Sequence, residues 1–477
     1  MSVTGSALHW MPLTLPQLDF WEEFSLHPDE PLSTVAHYIE LKGTVNEAAL
    51  CRAIAQTAQE TDVLALRFRL DDDGKTPLQA HDPARIPQVE IKDLRGSSQP
   101  LTDAKALMDG DVNARLNLLR DPLSAQWLIK LSDNHYLWYI RAHHIVMDGF
   151  GMTLFEQRCA TLYQHYLERT DAGKPFNAFV SFLDEEQSYQ ASTRYQQDKA
   201  FWRDYLSNPA QLTVLNKEDD YGDETLHVAH ELTPAMSHDI RQLAHQVTMG
   251  WPDLLVTLSG LYIHRYLADA YLGQGNAMPL WIPFMSRWGS VGAYMPALLV
   301  NILPLYVQVE ENTSLRDYLT QTGKTLRQLY ARGRYRVEQI ARDQGVTENS
   351  RYFFSPFVNV LPFDPPQFAG CQVKHHVITS GPADGFNLTF RGQTNADGLV
   401  LSLDADSAAH PHDEFDQHAQ RVMTFMQQVL DERYLAHWTS ATSTNPFQRC
   451  MTRLTAPKRK KGARTRPPKH RQKKPLQ

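Results

Sequence analysis

The spacing of apolar residues changes period several times along the chain, and each change marks an element. From Asn46 to Ala58 the pattern is helical, with Asn46 placed to cap the first turn. Leu64 to Leu70 alternates apolar residues with Arg67 and Arg69, which predicts a strand. Tyr136 to Val146, rich in aromatic and β-branched residues, predicts another. Beyond Gly149 the period shifts: Phe155, Cys159, Leu162 and Tyr166 recur at spacings of 4, 3 and 4, one face of a helix. Glu185 to Leu206 reads as helical, and Ser314 with Asp317 resembles a capping box opening a helix through about Arg332. Leu280 to Met285, Val300 to Gln308 and Phe357 to Leu361 read as buried strands. The alternation argues a mixed α/β architecture. The turn signal Asp171-Ala172-Gly173-Lys174-Pro175 divides it, giving units over 1–172 and 173–440.

Composition narrows the class. The 477 residues are 42% hydrophobic and 21% charged, as in soluble globular proteins. The longest apolar stretch, Met295 to Val307, is broken by Asn301 and Pro304 and falls short of the roughly 20 residues needed to span a bilayer. The first basic residue is Lys42, so no secretory signal and no membrane partner are expected. Cys51, Cys159, Cys371 and Cys450 lie far apart, which argues against a disulfide framework or zinc ribbon and suits the cytoplasm. Ten of the 47 basic residues fall between Pro457 and Gln477 with no acid among them, predicting a disordered basic tail over 441–477. The body is left with 37 basic residues against 54 acidic ones, a balance of −17 that repels nucleic acid and gathers cations.

The chemistry concentrates in His143-His144-Ile145-Val146-Met147-Asp148-Gly149, where a strand gives way to a helix. Side chains alternate along a strand, so only one of the two histidines is expected to face a reacting group. Histidine is the natural group to accept or steer a proton near neutral pH. Asp148 either orients the imidazole or binds an arginine and holds the turn. Adjacent histidines with a lone Asp make a poor ligand set, so no metal is expected there. The backbone amide of Gly149 is a candidate donor to a developing oxyanion. His375-His376 repeats the doubled histidine, but Ser380 stands where an Asp would be required, and it reads as a strand with alternating faces. Gly-x-Ser-x-Gly, Gly-x-Gly-x-x-Gly and Walker motifs are absent, which argues against serine hydrolysis and against dinucleotide or ATP chemistry.

His-His-x-x-x-Asp-Gly resembles the signature of the condensation domains of nonribosomal peptide synthetases, relatives of chloramphenicol acetyltransferase among thioester-dependent acyltransferases. The likeness runs from about Leu8 to Leu435. Met11 to Gln17 with Trp21 looks like the opening motif, and Met295 to Asn301 falls at the Gly-x-Phe-Val-Asn segment. Within the family the sequence is most similar to the stand-alone, vibriobactin-type amide synthases of catechol siderophore assembly. Arg141 to Met152, Pro283 to Val291, Gly333 to Ile340 and Ser355 to Phe363 carry that similarity in the right order. The second family motif is weak at Gln59 to Leu64, the fourth is not recognisable, and Phe150-Gly151 replaces the usual aromatic–Ser pair.

The resemblance implies an α/β fold of two chloramphenicol-acetyltransferase-like subdomains arranged as a V around a central channel. It implies transfer of an aryl group, 2,3-dihydroxybenzoyl, from the phosphopantetheine thioester of a holo aryl carrier protein to a soluble polyamine such as norspermidine or spermidine. The chain itself would bind no cofactor. His144 matches the active-site histidine, with His143 in support. Asp148 matches a structural acid whose arginine partner is here Arg287, and Trp288 and Asn359 match channel positions. An acidic body suits a polycationic acceptor, whereas an acidic carrier needs a local basic patch, for which Arg332, Arg334 and Arg336 are candidates. A coenzyme-A-dependent acyltransferase and a non-catalytic carrier-recruiting domain are the alternatives; the former usually carries an Asp-Phe-Gly-Trp-Gly motif that this chain lacks, and the latter usually has a decayed histidine motif.

Overall fold

A computed structural model describes residues 8–431 apart from 29–32, 208–211, 220–224, 272–276, 311 and 381–384. The basic tail expected over 441–477 lies outside the described residues.

Two mixed α/β units carry the main sheets. The first sheet has five strands in the order Cys371–Ser380, Thr34–Gly43, His135–His143, Ser124–Ser132, Val89–Asp93. All its pairings are antiparallel except the last. The His135–His143 strand lies at its centre and is buried on both faces, which explains its nearly continuous apolar run. Trp138 and Ile140 pack towards helices Glu47–Glu60 and Gly149–Glu168, while Leu137 and Tyr139 face helix Pro100–Val112. The second sheet has six strands in the order Asn301–Gln308, Ala277–Phe284, Phe357–Pro362, Phe386–Gly392, Val400–Asp406, Thr225–Glu231. Its core gathers around helix Trp251–Tyr266, with Leu280, Leu305 and Leu388 among the fully buried residues. No helix among the described residues is long and apolar enough to cross a membrane.

Local signals locate several elements well. Asn46 caps helix Glu47–Glu60 by accepting from the Ala49 amide, and Ser314 caps Leu315–Ala331 through the Asp317 amide. Three expectations shift. Residues 62–65 form a short 3-10 turn, so the strand expected from Leu64 begins at Leu66. The helix expected from Glu185 to Leu206 is two, Phe179–Gln190 and Thr193–Tyr205, because Ser192 caps the second through the Tyr195 amide. The strand expected to reach Val146 stops at His143, and residues 144–146 form a turn.

One strand crosses between the units. Cys371–Ser380 follows the Phe357–Pro362 strand of the second sheet in sequence, yet pairs with Thr34–Gly43 at the edge of the first. The crossing begins at two glycines in close approach. Gly43 has φ 137°, and a Cβ there would lie 2.4 Å from the Gly370 carbonyl oxygen. Only glycine tolerates both that backbone and that approach. Gly43→Ala is therefore expected to lower unfolding stability by about 1–3 kcal/mol, measured by denaturant titration; an unchanged midpoint would show that the junction relaxes freely.

Candidate active site

The site forms where the central strand of the first sheet runs out. After His143 the chain turns through 144–146 and enters helix Gly149–Glu168, with Asp148 as its N-cap. One Asp148 oxygen, Oδ1, accepts from the Gly151 amide at 2.8 Å. The other, Oδ2, accepts from the amides of Leu299 and Val300, both at 2.9 Å. Arg287 Nη2 donates to Oδ1 at 2.7 Å and Oδ2 at 2.9 Å, so both oxygens share one nitrogen rather than meeting a two-nitrogen fork. The guanidinium also donates to the carbonyls of Gly292, Met295 and Ala297, and its Cζ lies 5.0 Å from the centre of the Phe150 ring. Asp148 and Arg287 are both buried. Of the two roles open to Asp148, the contacts are those of an acid bound to an arginine and holding the turn.

Gly149 is the first residue of the helix and lines the channel. Its backbone is not in the left-handed region, and a Cβ there would meet nothing within 4 Å. The glycine is therefore not needed for a sharp turn; it leaves open space beside an amide that belongs to the helix's unsatisfied first turn. The glycine required by packing is Gly151, where a Cβ would come within 2.9 Å of Met147 Cγ and 3.2 Å of the Ala297 amide nitrogen.

The two histidines are separated, although not by strand alternation, because His144 lies beyond the strand. His143 is buried with Nδ1 accepting from the Ile145 amide at 3.1 Å. Burial, reinforced by His144 and Arg141, pushes its pKa down to about 3, so it stays neutral. His144 lines the channel, held by the hydrogen bond its backbone amide donates to the Ser33 carbonyl at 2.7 Å and by stacking on Phe20 at 5.0 Å between ring centres. Burial lowers its pKa against the opposing pull of Asp148. Its Nδ1 has no hydrogen-bond partner among the described residues. A neutral, stacked imidazole on the channel wall suits proton transfer.

The channel is a cavity of about 2460 Å³ lined by both units. Trp288 and Asn359 both line it. Trp288 follows Ser286 and precedes Gly289, both at positive φ, and is 85% exposed, so it is no part of a packed core. Asn359, on the Phe357–Pro362 strand, holds a buried Oδ1 without a hydrogen-bond partner among the described residues. Phe20, from helix Leu15–Leu26, went unread in the sequence because nothing local distinguishes it from its neighbour Trp21, which packs in the core. The candidate basic patch is internally paired: Arg332 meets Asp198, Arg334 meets Glu185 and Glu186, and Arg336 meets Glu338.

Comparison with known proteins gives this geometry its setting. The family model for the condensation domain matches residues 8–437. A dimodular nonribosomal peptide synthase of Bacillus subtilis strain 168 is 28% identical over 420 residues, covering 87% of this chain and 17% of the relative. Enterobactin synthase component F of Escherichia coli K12 is 29% identical over 427 residues, covering 88% and 32%. The chain thus spans less than a third of the length of these curated relatives. Among solved structures, VibH, an NRPS condensation enzyme, is 37% identical with a TM-score of 0.80, covering 88% of this chain and 96% of that one. The starter condensation domain of rhizomide synthetase RzmA is 26% identical with a TM-score of 0.76, covering 89% and 95%. Such enzymes act on thioesters carried by phosphopantetheine on carrier proteins and need no cofactor of their own. With a family match across most of its length, this chain belongs to the condensation-domain family, as an amide-bond-forming acyltransferase.

Proposed function

We propose that this enzyme transfers an aryl group, 2,3-dihydroxybenzoyl, from a holo aryl carrier protein to a soluble polyamine such as norspermidine or spermidine, in cytoplasmic siderophore assembly. Residues 1–172 and 173–440 are its two working units. The observation that carries this reading is the acidic wall of a channel that reaches His144. Helix Leu15–Leu26 sets Phe20 on the imidazole and, at helical spacing, Asp19, Glu22 and Glu23 along the channel, with Glu338 from the second unit. Asp19 is exposed in the channel beside Glu22 and Glu338, which pair with Lys217 and Arg336. A polycationic amine would relieve that crowding. Relatives named for enterobactin and vanchrobactin synthesis support the siderophore setting.

In this reading the acceptor nitrogen attacks the thioester carbonyl, forming the C–N bond as the carbonyl π electrons move onto oxygen. His144 takes the ammonium proton of the tetrahedral intermediate and passes it to the departing thiolate as the C–S bond breaks. The Gly149 amide, at the positive end of its helix, faces the oxyanion. Asn359 holds the carbonyl or the incoming amine, Trp288 offers a face to the aromatic or cationic partner, and Asp148 with Arg287 and His143 fixes the turn. Neither an acyl-enzyme nor a bound cofactor enters the sequence.

His144→Ala is expected to slow amide formation from aryl-loaded carrier and norspermidine by about 10²-fold or more while the fold survives. A rate near wild type would remove His144 from the proton's path. Because burial holds the imidazole below its ordinary pKa, wild-type turnover should hold down to pH about 6.5 and fall only below it; an inflection above pH 7 would point to a different group. Arg287→Ala leaves the Asp148 carboxylate buried without its cation and should cost about 3–5 kcal/mol of stability. An unchanged melting temperature with lost activity would instead place Arg287 in the chemistry. Mass spectrometry of products from a panel of polyamines tests the donor: amides formed only from coenzyme A thioesters would overturn the carrier reading.

A further inference from the structure

The channel wall carries a second convergence of side chains, separate from His144. His37 lies on the Thr34–Gly43 strand, Glu156 on helix Gly149–Glu168 and His375 on the crossing strand Cys371–Ser380. His37 Nδ1 is 2.9 Å from Glu156 Oε1, and His375 Nε2 is 3.2 Å from the same oxygen and 3.1 Å from Oε2. The two ring nitrogens are 3.2 Å apart. His37 and Glu156 are buried, His375 is half-buried, and all three line the channel. Backbone register creates the meeting. His375 opposes Ile39 and Val377 opposes His37, so the histidines are diagonal neighbours on one face of the sheet. Gly149, Thr153 and Glu156 follow helical spacing and share a face of their helix, with Glu156 about 10 Å along the axis from Gly149.

With Glu156 as a carboxylate, protons satisfy this triangle only through close contacts between like groups. If both nitrogens present N–H to the carboxylate, the short contact between them sets proton against proton. If one presents its lone pair to the other histidine, that lone pair also faces a carboxylate oxygen. A cation among the three satisfies every lone pair at once. A metal about 2.1 Å from each donor needs donors about 3.0 Å apart on an octahedral face and about 3.4 Å apart in a tetrahedron. The observed separations of 2.9, 3.2 and 3.2 Å lie close to those of the octahedral face.

We propose that His37, Glu156 and His375 bind a divalent transition-metal ion in the channel wall, as a two-histidine, one-carboxylate face whose remaining positions open into the channel. The three residues are too scattered in sequence to form a spacing motif, which is why the sequence carries no metal signal. The ion would also tie the crossing strand to the helix that begins at the active-site turn. Arg391, from the second sheet, lines the same channel, and its positive charge opposes a bound cation unless an anionic oxygen ligand shares the site.

The test uses the full chain, stripped with a chelator and titrated with Co(II), then with Zn(II) as competitor. The expected result is one equivalent of Co(II) with visible d–d absorption, displaced by Zn(II). Affinity should fall at least about tenfold in both His37→Ala and the near-isosteric Glu156→Gln. His376→Ala is the control, because His376 stacks on Tyr38 on the opposite face of the strand and should bind as wild type. Zn(II) should raise the melting temperature of the wild-type protein but not of Glu156→Gln, a readout that holds even if His37→Ala folds poorly. No stoichiometric Co(II) binding, or binding that survives both His37→Ala and Glu156→Gln, would overturn the proposal.

Discussion

Burying a carboxylate with a guanidinium costs several kcal/mol per ion before any contact is made, and that cost is offset only when the remaining hydrogen-bonding positions are filled. Asp148 and Arg287 meet this condition almost completely. The carboxylate takes three backbone amides besides the guanidinium, and the guanidinium gives its other protons to three carbonyls, leaving Nε without a partner among the described residues. Those partners come from two stretches of chain that belong to different halves of the sequence. Satisfying the pair therefore fixes the 287–300 segment against the start of helix Gly149–Glu168, and with it the turn that carries His144. The segment also delivers Met295, Ala297 and Leu299 into the core of the first unit, so charge and packing act on the same connection.

The two doubled histidines follow one rule of geometry with different results. At 375–376 the strand continues, so the rings fall on opposite faces as the alternating pattern predicts: His375 towards Glu156 and His37, His376 onto Tyr38 and towards Glu40. At 143–144 the strand ends between them, and a turn, a backbone bond to Ser33 and the Phe20 ring direct His144 instead. Local sequence carries no sign of that early stop, because Ile145 and Val146 are as strand-like as the residues before them. They are buried as part of the turn's packing.

Features governed by a few neighbouring residues were legible. The caps at Asn46 and Ser314 and the helical face after Gly149 need only their own turn of chain. The pairing of Asp148 with Arg287 was reachable through family likeness, since nothing in the spacing of two residues so far apart announces a contact. The rest depended on distant parts of the chain. Arg332, Arg334 and Arg336 read as free positive charge in sequence, yet each has found an acid in the fold. Glu156 read as one more polar position on a helix, and becomes the centre of a cluster only once a strand from beyond residue 370 is laid beside Thr34–Gly43.

That strand has a consequence for how the molecule is made. During synthesis, the Thr34–Gly43 strand emerges from the ribosome about 330 residues before the neighbour that covers its edge. Until then the first sheet presents an unpaired edge, the kind of surface on which chains associate wrongly. The charged and polar side chains of Thr34–Gly43, among them His37, Glu40 and Lys42, make that edge less adhesive while it waits. The two units thus share a single finishing step. The wall of the channel is complete only after Asp404 has been translated.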